Sequence, residues 1–161
     1  MERGGIVTDS KIDFAERLPD GGALLGIDLG TKTVGIATCD AGWRFATAGK
    51  TIARGKWGRD REVLGKLIEE RSLAGVVIGL PRNMDGSEGP RCQASRAYAR
   101  NLAEAFVLPV LLWDERWSTQ SAEAAMIGQD MSRAKRAEKI DSHAAAVILQ
   151  GAIDALAGSA F

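Results

Sequence analysis

The apolar residues of this chain first change their spacing between residues 53 and 63, and that change constrains the fold more than any other feature. Before it they come in short runs: residues 23–28, bounded by glycines, then 34–38, then the less apolar 43–52. Runs of this length separated by turn residues such as Gly30-Thr31-Lys32 read as strands, the first two hairpinned and the third at the sheet's edge. After it, Val63, Leu64, Leu67 and Ile68 stand at helical spacing, which predicts a helix over 59–71. Residues 74–80 form a dense strand that Pro81 stops. A polar, Gly-rich loop (82–89) leads into a helix over 90–106, where Ala94, Tyr98, Leu102 and Phe106 recur along one face. Residues 107–113 make another strand, Ser118 can cap a helix to about 127, and after a basic linker 137–156 form a long Ala-rich helix. The order β-β-β-α-β-α-β-α-α predicts a three-layer α/β domain, a mixed five-stranded sheet with helices on both faces.

A length of 161 residues suits one such domain, 23–161. Residues 1–22 read as an N-terminal extension: Ile12, Phe14, Ala15 and Leu18 make an amphipathic turn or two, ended by Pro19-Asp20-Gly21-Gly22. The apolar runs are too short to span a bilayer, and the start lacks the basic-then-apolar pattern of a signal peptide. A cytoplasmic protein without a membrane partner is expected. Cys39 and Cys92 match no zinc or redox spacing and read as buried spectators. The 21 basic and 21 acidic residues cancel, which argues against indiscriminate phosphate binding through net charge. The basic residues do cluster, however, at Lys50, Arg54, Lys56, Arg59 and Arg61, and again at Arg133, Lys135, Arg136 and Lys139. A solvated face and a phosphate contact are both open for either cluster.

Three carboxylates stand where solubilising charges do not belong. Asp28 lies inside the apolar run Leu24-Leu25-Gly26-Ile27-Asp28-Leu29-Gly30, a costly place unless it is paired or bound to a cation. The flanking glycines leave the backbone open to close approach; a turn aspartate accepting backbone N–H groups is the plainer reading. Asp114 and Glu115 end the second strong strand, where functional groups of open α/β sheets cluster. They point to opposite sides if the strand geometry continues, so one of them faces the site, and the spacing leaves the choice open. Asp141 heads an otherwise apolar helical stripe with Ala145, Ile148 and Ala152. Small neighbours, Ala144 and Ala145, would let that helix press close to the sheet and bring the acid to Asp28; an acid placed for the helix dipole competes with this reading. Clustered carboxylates without His or Cys partners favour Mg2+ or Mn2+, and two such ions suit in-line phosphoryl displacement. With one histidine in the chain, no Ser-His-Asp arrangement is available. His143 falls roughly 200° around the helix from Asp141 and reads as structural, with a place at the rim of the site as the open alternative.

Four segments occur in order: Gly26-Ile27-Asp28-Leu29-Gly30-Thr31-Lys32-Thr33-Val34-Gly35-Ile36-Ala37, Gly79-Leu80-Pro81-Arg82-Asn83-Met84-Asp85-Gly86-Ser87-Glu88-Gly89-Pro90, Asp114-Glu115-Arg116-Trp117-Ser118-Thr119 and Ile140-Asp141-Ser142-His143-Ala144-Ala145-Ala146. Together they resemble the YqgF-type family of pre-16S rRNA nucleases, also described as Holliday-junction-resolvase-like, over residues 23–156. The resemblance implies an RNase H-like fold, metal-dependent cleavage of nucleic acid, and Asp28, Glu115 and Asp141 as the catalytic, metal-holding acids. The role it suggests is trimming the 5′ end of the small-subunit ribosomal RNA precursor, with pre-rRNA and the small-subunit precursor as partners and a monomeric or homodimeric enzyme. Two residues depart from the pattern: Thr33 stands where the family often has arginine, and Trp117 where it often has leucine. Lys32 is the substitute for the missing cation. Arg82, Asn83, Arg116, Arg133, Lys135 and Arg136 are the further candidate nucleic-acid contacts. Residues 131–139 read as a mobile clamp, the amides of the 82–89 loop as a phosphate cradle, and Trp57 and Trp117 as stacking platforms or core. For the loop the plainer alternative is a turn with Ser87 capping the next helix, and for Arg116 it is a pair with Asp114.

Three rivals keep parts of this picture. A resolvase of branched DNA would use the same chemistry. A nucleotide-binding module is suggested by the likeness of Asp28-Leu29-Gly30-Thr31 to the phosphate loop of actin and heat-shock chaperone ATPases, although those clasp nucleotide between two lobes. A non-catalytic RNA-binding ribosome-assembly factor would use the groove without cutting, and the intact acid trio speaks against it.

Overall fold

The computed structural model describes residues 5–117 and 133–158, with the side chains of 5–116 and 143–158. The predicted helix at 118–127 lies outside the described residues. Among the described residues, seven strands and four α-helices follow in chain order: β1 (Val7–Thr8), α1 (Lys11–Glu16), β2 (Leu24–Leu29), β3 (Thr33–Cys39), β4 (Ala46–Ala48), β5 (Ile52–Ala53), α2 (Trp57–Arg71), β6 (Gly75–Leu80), α3 (Pro90–Phe106), β7 (Val110–Asp114) and, after a 3-10 turn at Glu115–Trp117, α4 (Arg133–Gly158). They make one sheet in the order β1-β7-β6-β2-β3-β4, with β5 also on β3. β2 pairs antiparallel with β3 through the Gly30–Lys32 turn, and parallel with β6. β6 and β7 are parallel, because each is reached through a crossover helix.

The five expected strands are present, and two more arise for physical reasons. The third run is a single edge strand broken by a bulge. Ala48 opposes Ala37 and Ile52 opposes Val34, so the three residues 49–51 face the two residues Gly35 and Ile36. An inserted residue of that kind interrupts the ladder. The other addition comes from the N-terminal segment, expected as an extension. Val7 and Thr8 pair in parallel with Val110 and Leu111, and Phe14 of α1 is fully buried. That burial stabilises the docked segment by about 1.5–3 kcal/mol.

Side-chain alternation along the central strands sorts the core into two layers. Leu25, Ile27 and Leu29 of β2, with Val76, Ile78 and Leu80 of β6, pack under α2 and α3 through Leu64, Tyr98 and Leu102. Leu24, Val77 and Leu111 face the other way, against Phe14 of α1 and Ala145, Ile148, Leu149 and Ile153 of α4. Gly26 is what lets α4 lie so close. A Cβ there would come within 2.8 Å of the Leu149 Cβ and 3.1 Å of the Ala145 carbonyl oxygen. The same alternation places Asp28 on the α4 face, two residues along from Gly26. Position 141 in α4 lies one turn before Ala145.

One buried polar cluster ties α2 to α3. Asp60, 1% exposed, accepts hydrogen bonds from the Gly55 N–H at 3.0 Å and the Tyr98 hydroxyl at 3.1 Å. Trp57, half-buried, packs edge-on against Tyr98 and Phe106 at the margin of the core. Of the segment 131–139, expected as a mobile clamp, residues 131–132 lie outside the described residues and 133–139 are instead the first turns of α4, in keeping with the strong helix propensity of Arg, Ala and Lys.

Candidate active site

The C-terminal ends of β2, β6 and β7 lie side by side, and each brings one element of the site to the α4 face. β2 brings Asp28, half-buried. β7 ends at Asp114, and the 3-10 turn that follows folds the Glu115 side chain back over Gly79 of β6. A Cβ on Gly79 would sit 2.6 Å from the Glu115 Oε1 and 2.7 Å from its Cγ. The glycine is therefore the space that the carboxylate occupies. Glu115 is hydrogen-bonded to Asp28.

The electrostatics of the two acids differ from those of Asp114. Burial first, then the hydrogen bond and the charge of Asp28, push the Glu115 carboxyl up to about 9; Arg91 opposes the rise. At neutral pH Glu115 holds its proton in the hydrogen bond with Asp28, since two adjacent half-buried carboxylates resist joint ionisation. Asp114, 8% exposed, points to the opposite side. Its carboxyl is held below the ordinary value chiefly by hydrogen bonds from the Arg116 side chain. Arg116 Nη2 lies 2.6 Å and Nε 3.0 Å from it, and Arg82 Nη1 lies 3.6 Å away. The choice that the spacing left open falls to Glu115 as the partner of Asp28.

The other candidates are dispersed. Arg116 is engaged by Asp114, and Arg82 sits between Asp114 and Glu88, 3.5 Å from the latter. Asn83 donates to the Ser87 hydroxyl at 3.0 Å. The loop amides expected as a phosphate cradle are largely engaged within the loop and its approach: Arg82 N–H donates to Leu80, Asn83 N–H to Ser87 and Gly86 N–H to Asn83. Ser87 N–H and hydroxyl both donate to Asp85. Ser87 is not the helix cap; Gly89 holds that place without a side-chain bond, and Pro90 starts α3. Lys32 is exposed on the β2–β3 turn. The side chains of Asp141, Arg133, Lys135, Arg136 and Trp117 lie outside the described residues. His143 is half-buried, and both cysteines are free and buried.

Three residues at the site escaped the sequence reading. Gly79 carried a usable signal, a glycine inside the dense strand Val76-Val77-Ile78-Gly79-Leu80, where close approach is the usual reason. Arg54 Nη1 donates to the Gly30 carbonyl at 2.9 Å and was visible only as one of a basic stretch. Arg91 Nη2 lies 3.4 Å from the Leu29 carbonyl; nothing in the sequence marked it.

Comparison with known proteins bears on this arrangement. The RuvX family model, described as Holliday junction resolvase, matches residues 22–155. A Novosphingobium aromaticivorans protein named "Putative pre-16S rRNA nuclease" is 63% identical over 156 residues, covering 97% of this chain and 100% of that one. A Sphingopyxis alaskensis protein of the same name is 59% identical over 151 residues, covering 94% and 99%. Among solved structures, Thermus thermophilus RuvC in complex with Holliday junction substrate is similar with a TM-score of 0.54 at 15% identity, over 86% of this chain and 97% of that one. At that identity the likeness is one of fold, the RNase H-like α/β fold.

Proposed function

This chain belongs to the RuvX family, and on that footing we propose that it is a metal-dependent nuclease that trims the 5′ end of pre-16S rRNA. The observation that carries the proposal is the juxtaposition of Asp28 and Glu115 over Gly79. Two carboxylates forced together with a proton between them form a site whose charge balance a divalent cation completes. Oxygen-only donors suit Mg2+ or Mn2+, and the room above Gly79 fits a carboxylate arm turned toward such an ion. Asp28 and Glu115 would hold it, with Asp141 as the third acid from α4. When bound, such ions activate a water and neutralise charge on the leaving oxygen. The protein's own part is to fix both carboxylates at the ends of rigid strands, to leave Glu115 free to lose its proton, and to keep Asp114 out of the site through Arg82 and Arg116. The small-subunit precursor is the proposed partner, in the cytoplasm; no helix among the described residues is long and apolar enough to cross a membrane.

Membership of a family described as a resolvase gives branched DNA standing as a second substrate. Both are tested together. A labelled 5′ segment of pre-16S rRNA and a four-way DNA junction are incubated with Mn2+, with Mg2+ or with EDTA, beside Asp28→Asn. Metal-dependent cutting of the RNA that the variant loses is the expected result. Cutting confined to the junction moves the protein to the resolvase reading. Wild-type rates in Asp28→Asn would refute the catalytic assignment.

A further inference from the structure

The arginines near the acid pair fall into two groups. Arg82, Arg96 and Arg116 are ion-paired with carboxylates: Arg116 with Asp114, Arg96 by a two-pronged bond to Glu88, and Arg82 with the same two acids at 3.6 and 3.5 Å. Arg54 and Arg91 form no ion pair with a carboxylate among the described residues. Each instead rests on a backbone carbonyl, Arg54 on Gly30 at 2.9 Å and Arg91 on Leu29 at 3.4 Å. A guanidinium has five N–H donors, so a single bond to a neutral carbonyl leaves most of them available, and the charge of Arg91 already acts on Glu115 of the acid pair.

Those two carbonyls belong to the residues directly after Asp28. Arg91 arrives from the first turn of α3, and Arg54 from the segment between β5 and α2. Lys32 stands exposed on the β2–β3 turn, where its carbonyl accepts the Arg54 N–H at 2.9 Å. Three cations from three separate parts of the chain thus converge on the C-terminal end of β2. In a protein of zero formal net charge, attraction for a polyanion must come from such a local excess.

We propose that Lys32, Arg54 and Arg91 form the track that holds the phosphodiester backbone beside the scissile bond, and that Arg82 and Arg116 are scaffold that orients Asp114. The proposal rests on the nuclease reading and names where its substrate lies. The contacts are with phosphates, which RNA and DNA share.

Binding is measured apart from cutting, in an Asp28→Asn background, with fluorescent single-stranded RNA and DNA of one sequence. The salt dependence is followed between about 50 and 200 mM KCl. Arg91→Gln and Arg54→Gln should each weaken binding several-fold and lower the slope of log affinity against log salt by about 0.7, the loss of one phosphate contact on a single strand. Arg91→Lys should keep the slope. Arg71→Gln removes the same charge at the other end of the sheet, where Arg71 lines a cleft with Ala23 and Cys39, and should leave slope and affinity unchanged. Arg91 is exposed, so R91Q carries the test should R54Q unfold. An unaltered slope in R91Q and R54Q, with the parent still binding, overturns the track and leaves the nuclease reading intact. An equal fall in R71Q also overturns it, because the attraction is then diffuse. A loss on RNA alone overturns the phosphate assignment in favour of the ribose hydroxyl. Failure of the wild-type protein to bind or cut either polymer strikes at the nuclease reading itself.

Discussion

Replacing Gly79 by alanine should separate the position of the Glu115 carboxylate from the stability of the fold. The new Cβ would lie 2.6 Å from Oε1, 2.7 Å from Cγ and 2.8 Å from Cδ of Glu115. Ordinary contacts between carbons begin near ~3.5 Å, so one side must move by roughly 0.8 Å. β6 cannot yield easily, being hydrogen-bonded to β2 on one side and β7 on the other. The three clashing atoms belong to a side chain with rotatable bonds in a single 3-10 turn, so the carboxylate moves. A misplacement near 1 Å at a catalytic group can cost about 100-fold in rate. Stability should change little: rearrangement costs about 1–3 kcal/mol at most, offset by about 0.4–1 kcal/mol from the stiffer unfolded chain. Single-turnover cleavage of the labelled RNA and urea unfolding read the two quantities. A Glu115→Ala background supplies the control, since with the arm gone Gly79→Ala should be neutral or mildly stabilising. Wild-type cleavage by Gly79→Ala would refute the reasoning, as would equal destabilisation in both backgrounds.

Three further outcomes follow from the same geometry. Without metal, the protein should lose stability as pH rises. The folded-state value of Glu115, about 9, stands above the ordinary 4.5, so its contribution is fully present below about pH 4.5 and gone once pH passes about 9. The fall is on the order of a few kcal/mol, read as urea midpoints in EDTA, and Asp28→Asn should lessen it while the part due to burial remains; parallel curves would sink the shared-proton picture. Gly26→Ala should destabilise by about 1–3 kcal/mol and slow cleavage as well, because its Cβ would meet the Ala145 backbone and Leu149; an unchanged melting point would show that α4 does not lie so close. Tyr98→Phe should cost about 1 kcal/mol and Asp60→Ala about 2–3 kcal/mol, the latter stripping two donors of their buried acceptor; the reverse order in thermal unfolding would count against the cluster.

The architecture was legible where apolar spacing was strong. The core strands β2, β3, β6 and β7 and the helices α2 and α3 fall within a few residues of their expected bounds, because continuous apolar runs and helical stripes are imposed by burial. The departures lie where burial is weak. The edge strand is exposed on much of its length, so its spacing cannot mark where Gly49 opens a bulge. The segment before Gly22 carries one fully buried aromatic, Phe14, among polar residues, too little pattern to foretell a strand of two residues on β7. The basic stretch before Asp141 reads as a linker by composition, yet its residue types are good helix formers, and the backbone follows that preference.

At the site, alternation carried more than charge did. Asp28 and Gly79 share a face because each lies two residues beyond a neighbour that packs under α4, Gly26 and Val77 in turn. Glu115 follows from Leu111 and Trp113 by the same count, and this excludes Asp114. The count was available from the sequence, but it needed the knowledge that β6 lies between β2 and β7, which only the crossover topology supplies. Charge misled for a different reason. A sequence shows which residues are cationic, and says nothing of which cations are already neutralised. Arg82 and Arg116 lie in the motifs nearest the acids, yet Asp114 and Glu88 engage them both. Arg91 lies outside the expected contacts and Arg54 was only one member of a basic cluster, yet neither forms an ion pair among the described residues, because their hydrogen-bond partners are neutral carbonyls. A cation's fitness to meet phosphate depends on whether it is so paired. It is set by long-range packing, so the residues best placed for it are those that local pattern identifies least.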